Sequence, residues 1–316
     1  MSEAIGALIL GLVVLTGGAE ALVRGASRLA ASLGVSPLVV GLTVVAVGTS
    51  MPELAVSVAA AWAGNTEIAL GNVVGSNICN VGLVLGLSAL VFPVAIERDV
   101  FRYLPPMIAA SLALPALAVN GRIGRVDGAL LAIAFAVFTW WMVRRHDRSM
   151  ADPVVGDDLA APHPDFFGRR AGQLLMIAAG IGLLVGGSKA VIFGAVRLAE
   201  IVGLSHRVVG LTVVALNTSL PELATTMVAT IRRNTEIGIG NIVGSNIANI
   251  LLVLGTTALV RPVASELTGP RVADMAVMIA FAVLLVGFAR VGQGVGRGRG
   301  AVLVAGYAVY IAFLIA

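Results

Sequence analysis

Apolar residues run along this chain in long stretches that short polar segments interrupt. Stretches such as 4–23 and 128–143 are long enough, with some tilt, to cross the hydrocarbon core of a bilayer. The breaks in apolarity predict ten helical spans, at 4–23, 37–62, 68–92, 103–120, 126–143, 171–195, 207–231, 237–260, 272–290 and 301–316. The pattern therefore predicts an all-α integral membrane protein.

The hydrophobic pattern occurs twice, and so do its polar interruptions. GLTVVAVGTSMPELA at 41–55 returns 169 residues later as GLTVVALNTSLPELA at 210–224. At the same offset, NTEIALGNVVGSNICN at 65–80 returns as NTEIGIGNIVGSNIAN at 234–249. In an apolar chain, a duplication of this length indicates the two-repeat design of secondary transporters, whose substrate site lies where the repeats meet.

The number of spans in each repeat predicts how the repeats are related. The ten predicted spans give five in each repeat. Because five is an odd number, the second repeat must enter the membrane from the opposite side. The repeats are therefore inverted, with broken helices at a midplane ion site. The predicted units are a first repeat at 1–146, a polar cytoplasmic linker at 147–168 and a second repeat at 169–316.

The arginines predict the orientation in the membrane. When they are assigned to alternate loops, fourteen fall on one side and six on the other, the six being Arg122, Arg125, Arg197, Arg207, Arg261 and Arg271. Because basic residues collect in cytoplasmic loops, the side with fourteen is cytoplasmic and both termini are external. The bias toward alanine, glycine and arginine, with one lysine, is typical of a GC-rich bacterium. The predicted location is therefore the cell membrane, in a bacterium the inner membrane.

Composition narrows the classes of partner. Hydrophobic residues make up 58% of the chain and charged residues 12%, with a net charge of +4. The orientation signal accounts for most of the positive surplus, and no basic aromatic module indicates binding of nucleic acid. The predicted partner is the lipid bilayer, and the sequence carries no signal for an oligomeric state.

Few acidic side chains lie within the predicted spans, and two of them mark a candidate site. Glu53 and Glu222 occupy matched positions in the repeated motif, whereas Glu20 aligns with Lys189. An ionisable residue inside a membrane is costly, so a functional role is the default interpretation. The alternative is a pair of packing acids kept neutral by protonation. The polar, proline-broken setting, which occurs twice, favours the functional interpretation.

Polar residues near the two acids supply further oxygen ligands. Thr49, Ser50 and Glu53 lie on one helical face, and Pro52 removes a backbone donor and so frees a carbonyl near Gly48. The second repeat matches this arrangement with Thr218, Ser219, Pro221 and Glu222. Two broken helices can therefore direct backbone oxygens at one ion near the membrane midplane.

The next span of each repeat carries a polar stripe with a spacing of four residues. Its members are Asn72, Ser76 and Asn80 in the first repeat and Asn241, Ser245 and Asn249 in the second. Both stripes are predicted to face inward. Both interpretations stay open for four asparagines, which could line the ion site or could join helices through hydrogen bonds beside close glycine packing: Asn72, Asn77, Asn241 and Asn246.

Hard oxygen ligands dominate the candidate site. The spans contain no histidine and one cysteine, Cys79, which favours an alkali or alkaline-earth cation over zinc or copper. Two carboxylates with two oxygens each, together with the Thr49 and Thr218 carbonyls, reach the lower bound of about six oxygens for calcium. Two negative charges also balance one divalent ion or the monovalent ions that replace it. The ions are thus substrates, no cofactor is predicted, and no nucleophile with a base suggests an enzyme.

In these motifs the chain resembles the cation/calcium antiporter superfamily, and in particular the prokaryotic sodium/calcium exchangers. Their paired repeats carry GTSxPE and GNxxGSNIxN or close variants. The resemblance implies that calcium is held by Glu53, Glu222 and the carbonyls of Thr49 and Thr218. It implies that sodium uses the same acids together with Ser50, Ser76, Ser219, Ser245 and the carbonyls of Ala46 and Ala215. Asn80 and Asn249 would border the central position.

Two positions depart from the pattern of that family. Asn217 stands where the first repeat has Gly48 and where family members usually have glycine, so a larger amide lines the second helix break. Asn249 stands where many bacterial relatives have aspartate, and asparagine there is typical of potassium-independent exchangers. With Asn80 also an amide, the predicted site has two acids and not three.

The residues and the resemblance together predict a secondary active antiporter that extrudes calcium in exchange for sodium by alternating access. The nearest alternative is a calcium/proton antiporter of the same superfamily, in which Glu53 and Glu222 would take up protons. Ser76, Ser245 and the GTSxPE form favour sodium. A passive cation channel is the alternative from another class, and it would not need inverted broken helices.

Overall fold

The computed structural model describes residues 1–144, 170–201, 218–292 and 294–315. Within these ranges eight helices are long and apolar enough to cross a membrane, and a bent helix pair can supply a ninth span. These helices confirm the predicted all-α membrane fold. The linker at 147–168 and the predicted site residues Ala215 and Asn217 lie outside the described residues.

The first repeat contains six helices, of which two form the bent pair. They are α1 (Ser2–Leu33), α2 (Pro37–Thr49), α3 (Met51–Trp62), α4 (Thr66–Val91), α5 (Leu104–Ala118) and α6 (Arg125–Arg144). A 3-10 turn at Arg98–Arg102 precedes α5. The chain bends by 42° between α2 and α3. The predicted span at 37–62 is therefore a broken helix, as the paired motif indicated.

The described helices of the second repeat correspond to α1 and to α3–α6 of the first, and the start of the predicted span at 207–231 lies outside the described residues. They are α7 (Arg170–Ile201), α8 (Leu220–Ile231), α9 (Thr235–Val260), α10 (Gly269–Gly292) and α11 (Arg297–Ile315). α8 and α3 each have 12 residues and each begin just before the motif proline. The duplication in the sequence thus recurs in the helix boundaries.

The centre of the protein is formed by α4 and α9. In their most apolar windows 78% and 89% of residues are buried, against 17–39% in the other long spans. Each contains a π-helical segment at the same place, Asn80–Leu85 in α4 and Asn249–Leu254 in α9. π-Helical turns occur frequently at functional sites, and both begin at an asparagine of the polar stripe.

Two short antiparallel strand pairs join the repeats at loops. β1 (Val94–Ala95) pairs with β4 (Gly294–Val295), and β2 (Arg122–Ile123) pairs with β3 (Val263–Ala264). The sequence did not predict these pairs, because two residues are too few to show the alternation of a strand. Each pair joins two loops that the alternation of spans assigns to one side of the membrane.

Close helix packing between α1 and α7 depends on glycine. A Cβ atom on Gly18 would lie 2.8 Å from the backbone nitrogen of Leu184, and one on Gly187 would lie 2.6 Å from that of Leu15. The neighbouring glycines, Gly17 and Gly186, face open space. One member of each glycine pair therefore allows the two backbones to approach, as small residues do between membrane helices.

Candidate ion-binding site

Glu53 and Glu222 lie in the first turns of α3 and α8, directly after the helix breaks. Both side chains are completely buried. Pro52 and Pro221 fit these first turns because the backbone N–H that proline lacks has no helical partner there. The repeated motif thus places one carboxylate from each repeat inside the protein.

The break in the first repeat interrupts the helical hydrogen bonds over one turn. Ser50 N donates to Ala46 O at 3.0 Å, and the ladder resumes where Leu54 N donates to Ser50 O at 3.1 Å. Pro52 has no N–H to donate to the carbonyl of Gly48. The Gly48 carbonyl instead accepts a hydrogen bond from a backbone N–H at the helix cap, so the regular hydrogen-bond pattern changes at the turn where the ion site is expected.

The break in the second repeat has the same geometry where it is described. Ser219 has φ −88° and ψ 2°, close to φ −82° and ψ 6° at Ser50. Leu223 N donates to Ser219 O at 3.0 Å and so resumes the helix. The two motifs fold in the same way. In each, a serine with bridge-region φ and ψ angles, Ser50 or Ser219, precedes the helix that carries the acid.

The carboxylates have few hydrogen-bond donors. Among the described residues, both oxygens of Glu53 and Oε2 of Glu222 have no hydrogen-bond partner. Glu222 Oε1 accepts a hydrogen bond from Ser50 Oγ at 3.2 Å, and this bond crosses between the repeats. Buried carboxylate oxygens without donors are expensive unless a positive species compensates them. The pair is therefore suited to hold a cation.

Hydroxyl groups of both repeats meet at the acids. The Ser76 and Thr218 hydroxyls are 3.4 Å apart, beside the Glu53 carboxylate. The Thr49 and Ser245 hydroxyls are also 3.4 Å apart, and Thr49 lies beside the Glu222 carboxylate. Each hydroxyl pair contains one residue from each repeat. The structure thus brings these predicted ligands together at the interface of the repeats.

The other predicted sodium ligands that are described also lie at this interface. Ala46 is fully buried, and its carbonyl lies 3.5 Å from Ser245 Oγ. Ser219 is buried, and its hydroxyl has no hydrogen-bond partner among the described residues. The hydroxyl of Ser219 is therefore available for coordination, whereas the carbonyl of Ala46 already accepts hydrogen bonds from Ser50 N, Thr49 Oγ1 and Ser245 Oγ.

Asn80 and Asn249 are completely buried where the π-helical segments begin. In the described part of the chain, neither amide atom of Asn80 has a hydrogen-bond partner. Asn249 Nδ2 donates to Asn77 Oδ1 at 3.1 Å, and Asn77 Nδ2 donates to Asn246 O at 3.3 Å. For Asn77 and Asn246 the sequence leaves open whether they line the site or join helices, and the structure places them in hydrogen bonds that cross between the repeats.

Asn72 and Asn241, the remaining described residues of the predicted site, contact the backbone carbonyls of the two acids. Asn72 Nδ2 donates to Glu53 O at 3.1 Å, and Asn241 Nδ2 lies 3.5 Å from Glu222 O. Within the described ranges no three His, Cys, Asp or Glu side chains cluster as a metal site. Two acids with neutral oxygens suit an alkali or alkaline-earth cation better than a transition metal.

Glu20, the other acid within a predicted span, belongs to a different part of the protein. Its carboxylate pairs with Arg24 at 2.6 Å and with Arg232 at 2.7 Å. The first pair lies within α1, and the second joins α1 to Arg232, the residue that follows α8. Glu20 and Lys189 align between the repeats, but the inverted topology predicts that they lie far apart and do not pair, and Lys189 is exposed on α7. Complete burial without a basic partner among the described residues thus distinguishes Glu53 and Glu222 from Glu20.

Comparisons with known proteins agree with this architecture. The family model described as sodium/calcium exchanger protein matches residues 3–144 and 172–316. The chain is 35% identical to the inner membrane protein YrbG of Escherichia coli, over 97% of this chain and 95% of that protein. It is 33% identical to the sodium/calcium exchanger MaX1 of Methanosarcina acetivorans, over 98% of this chain and 96% of that protein.

A solved structure of the sodium-calcium exchanger NCX_Mj, soaked with 10 mM Na+ and zero Ca2+, superimposes on this fold with a TM-score of 0.83. The sequence identity is 31%, and the alignment covers 98% of each chain. Both the family model and the relatives extend over nearly the whole chain, so they describe the full architecture and not one motif. The chain therefore belongs to the sodium/calcium exchanger family of cation antiporters.

Proposed function

We propose that this protein is a secondary active antiporter that exchanges sodium for calcium and extrudes calcium from the cell. The observation that carries this proposal is the fully buried pair of Glu53 and Glu222, which come from opposite repeats and of whose four carboxylate oxygens three have no hydrogen-bond partner among the described residues. Membership of the exchanger family supports it. Two carboxylates balance the charge of one calcium ion, or of monovalent ions that replace it.

Calcium is bound by the two acids and the carbonyls of Thr49 and Thr218. Sodium uses the same acids, and its further oxygens come from Ser50, Ser76, Ser219, Ser245 and the carbonyls of Ala46 and Ala215. Because the acids serve both ions, calcium and sodium compete for one central region. Asn80, Asn249 and Asn217 line that region without adding a third charge.

The buried charge also explains why transport is coupled. Two unneutralised carboxylates inside a membrane protein cost several kcal/mol, so a rearrangement that moves them through a closed intermediate is strongly disfavoured. Bound calcium or sodium cancels this charge and lowers the barrier. The protein therefore changes the side to which it opens when it is loaded with either ion, and one ion leaves only after the other has replaced it.

Transport by purified protein in sealed vesicles tests the coupling ion. Vesicles loaded with sodium should take up labelled calcium when they are diluted into sodium-free buffer, with potassium absent from both sides. A proton gradient of matched size should drive little uptake. If the proton gradient alone drives full uptake and sodium does not affect calcium binding, the calcium/proton alternative replaces this proposal.

The serine hydroxyls should separate the two ions. Ser76→Ala and Ser245→Ala each remove a neutral oxygen that the six-oxygen calcium set does not need. We expect the sodium concentration for half-maximal exchange to rise about tenfold, the equivalent of one lost buried polar contact, with a smaller change in calcium affinity. Sodium titration of exchange and direct calcium binding measure the two effects.

Ser111→Ala is the matched control for these serines. Ser111 is also buried, but its hydroxyl donates to Met107 O within its own helix, α5. This variant should leave both the sodium and the calcium response unchanged. Equal losses for the two ions in Ser76→Ala and Ser245→Ala would contradict the assignment of these serines to sodium.

Cysteine labelling tests the proposed orientation, in which both termini are external. Cys79 is buried, so a Cys79→Ala protein provides the background. Ala63→Cys, between α3 and α4, should react with a membrane-impermeant maleimide in intact cells. Leu33→Cys, at the end of α1, should react only after the membrane is permeabilised. The reverse pattern would invert the orientation.

A further inference from the structure

Asn241 connects one predicted ligand from each repeat. Its Nδ2 donates to Thr226 Oγ1 at 3.0 Å and lies 3.5 Å from Glu222 O. Its Oδ1 accepts a hydrogen bond from Thr49 Oγ1 at 3.0 Å. Glu222 lies in the second repeat and Thr49 in the first. One completely buried amide therefore joins the acid of its own repeat to the helix break of the other.

Asn72 makes the same connection in the opposite sense. Its Nδ2 donates to Ser57 Oγ at 2.9 Å and to Glu53 O at 3.1 Å. Its Oδ1 accepts a hydrogen bond from Thr218 Oγ1 at 3.3 Å. Ser57 and Thr226 occupy matched positions in the duplicated sequence, as do the two asparagines. The arrangement thus occurs twice and follows the symmetry of the repeats.

We propose that Asn72 and Asn241 are positioning residues that fix the ligand-bearing helix breaks across the repeat interface, and that they are not ion ligands. This inference rests on the proposed function, because it names what holds the calcium ligands in place. Both N–H groups of each amide have protein acceptors, and each Oδ1 already accepts from a threonine. The amides are occupied by the protein itself.

The physical need for such residues arises at the breaks. A carbonyl within a regular helix is fixed by its hydrogen bond. The turn between α2 and α3 interrupts that regular pattern, so the orientation of Thr49, whose carbonyl is the proposed ligand, depends on its other contacts. Fixing the Thr49 side chain from Asn241 restricts the rotation of the residue whose carbonyl faces the ion. Partners that orient ligand groups in this way commonly control metal affinity as strongly as the ligands do. The spacing between Thr49 and Glu222 is therefore set through Asn241.

Double-substitution cycles test the pairing. Asn241→Ala and Thr49→Val remove the two ends of one hydrogen bond, and Thr49→Val keeps the backbone carbonyl. Each should weaken calcium binding about tenfold, the value for one buried hydrogen bond, and the double variant should also lose about tenfold. Asn241→Ala combined with Thr218→Val is the matched control, because Thr218 contacts Asn72. The calcium affinity of this control double variant should fall by about a hundredfold, the product of the two single losses.

The same cycles in ion-free protein separate positioning from coordination. A positioning residue is coupled to its threonine whether or not an ion is bound. In ion-free protein, the decreases in unfolding temperature caused by Asn241→Ala and Thr49→Val should therefore be non-additive in the double variant. The decreases caused by Asn241→Ala and Thr218→Val should be additive. Coupling that is found only with calcium present would identify Asn241 as a ligand and overturn the proposal. Additive effects for Asn241 and Thr49 in both measurements would do so as well.

The mirror cycle keeps the test valid if one double variant does not fold. Asn72→Ala should be coupled to Thr218→Val and independent of Thr49→Val, which reverses the roles of the two threonines. If the unsubstituted protein binds no calcium, the proposed function fails. The ion-free unfolding temperatures still decide whether the asparagines couple the repeats, so the two failures can be told apart.

Discussion

Glu53→Gln and Glu222→Gln are each expected to abolish calcium exchange in reconstituted vesicles, although both variants should fold. Each acid supplies half of the negative charge and two ligand oxygens. Glutamine keeps the size of the side chain but replaces one oxygen by an NH2 group that repels a cation. Removal of one partner from a buried charge pair costs about 3–5 kcal/mol, so calcium affinity should fall by at least about a hundredfold.

Glu67→Gln is the control for this effect. Glu67 lies at the start of α4, where its side chain is 70% exposed and pairs with Arg271 at 2.7 Å. A surface ion pair of this kind contributes little, so exchange should persist in the variant. Size-exclusion profiles and unfolding temperatures establish that all three variants are folded. Near-normal exchange in either Glu53→Gln or Glu222→Gln would refute the assignment of the site.

Gly18→Val and Gly187→Val should disrupt the contact between α1 and α7. The new Cβ on Gly187 would lie 2.6 Å from the backbone nitrogen of Leu15, which no side-chain movement can relieve. The helices must separate or shift, at a cost of about 1–3 kcal/mol or more. We expect a lower unfolding temperature in detergent and a loss of exchange.

The adjacent glycines supply matched controls for that experiment. Gly17→Val and Gly186→Val introduce the same side chain with the same helix propensity, but the Cβ positions meet open space. These variants should keep most of the stability and the exchange activity. If both members of a pair had the same effect, backbone approach between the two helices would not be the cause.

The fold class could be predicted from the sequence because a bilayer imposes a simple requirement. A spanning helix needs a long apolar segment, and each break in apolarity is visible along the chain. Helix ends were less accurate, since α1 continues to Leu33 although the predicted span ended at 23. Arg24 and Arg28 end the apolar run but do not end a helix, because a helix needs apolar residues only inside the hydrocarbon.

The candidate site could be located from the sequence because its residues are duplicated. An acid next to a proline within an apolar span is unusual, and its recurrence in both halves singled out Glu53 and Glu222. The same reasoning selected the serine and threonine pairs around them. Spacing along one helix, however, says nothing about which side chains of the other repeat lie opposite.

The tertiary structure decided the contacts between the repeats. It joined Ser50 to Glu222 and Thr49 to Asn241. It gave each side-chain N–H of Asn72 and Asn241 an acceptor within the protein. It also showed which glycine of each pair meets a backbone, and it paired the short strands at the loops. These features depend on distances between residues far apart in the chain. The sequence by itself determined the apolar spans and the duplicated polar motif, because both are local patterns, whereas the partner of each polar atom exists only once the helices have packed.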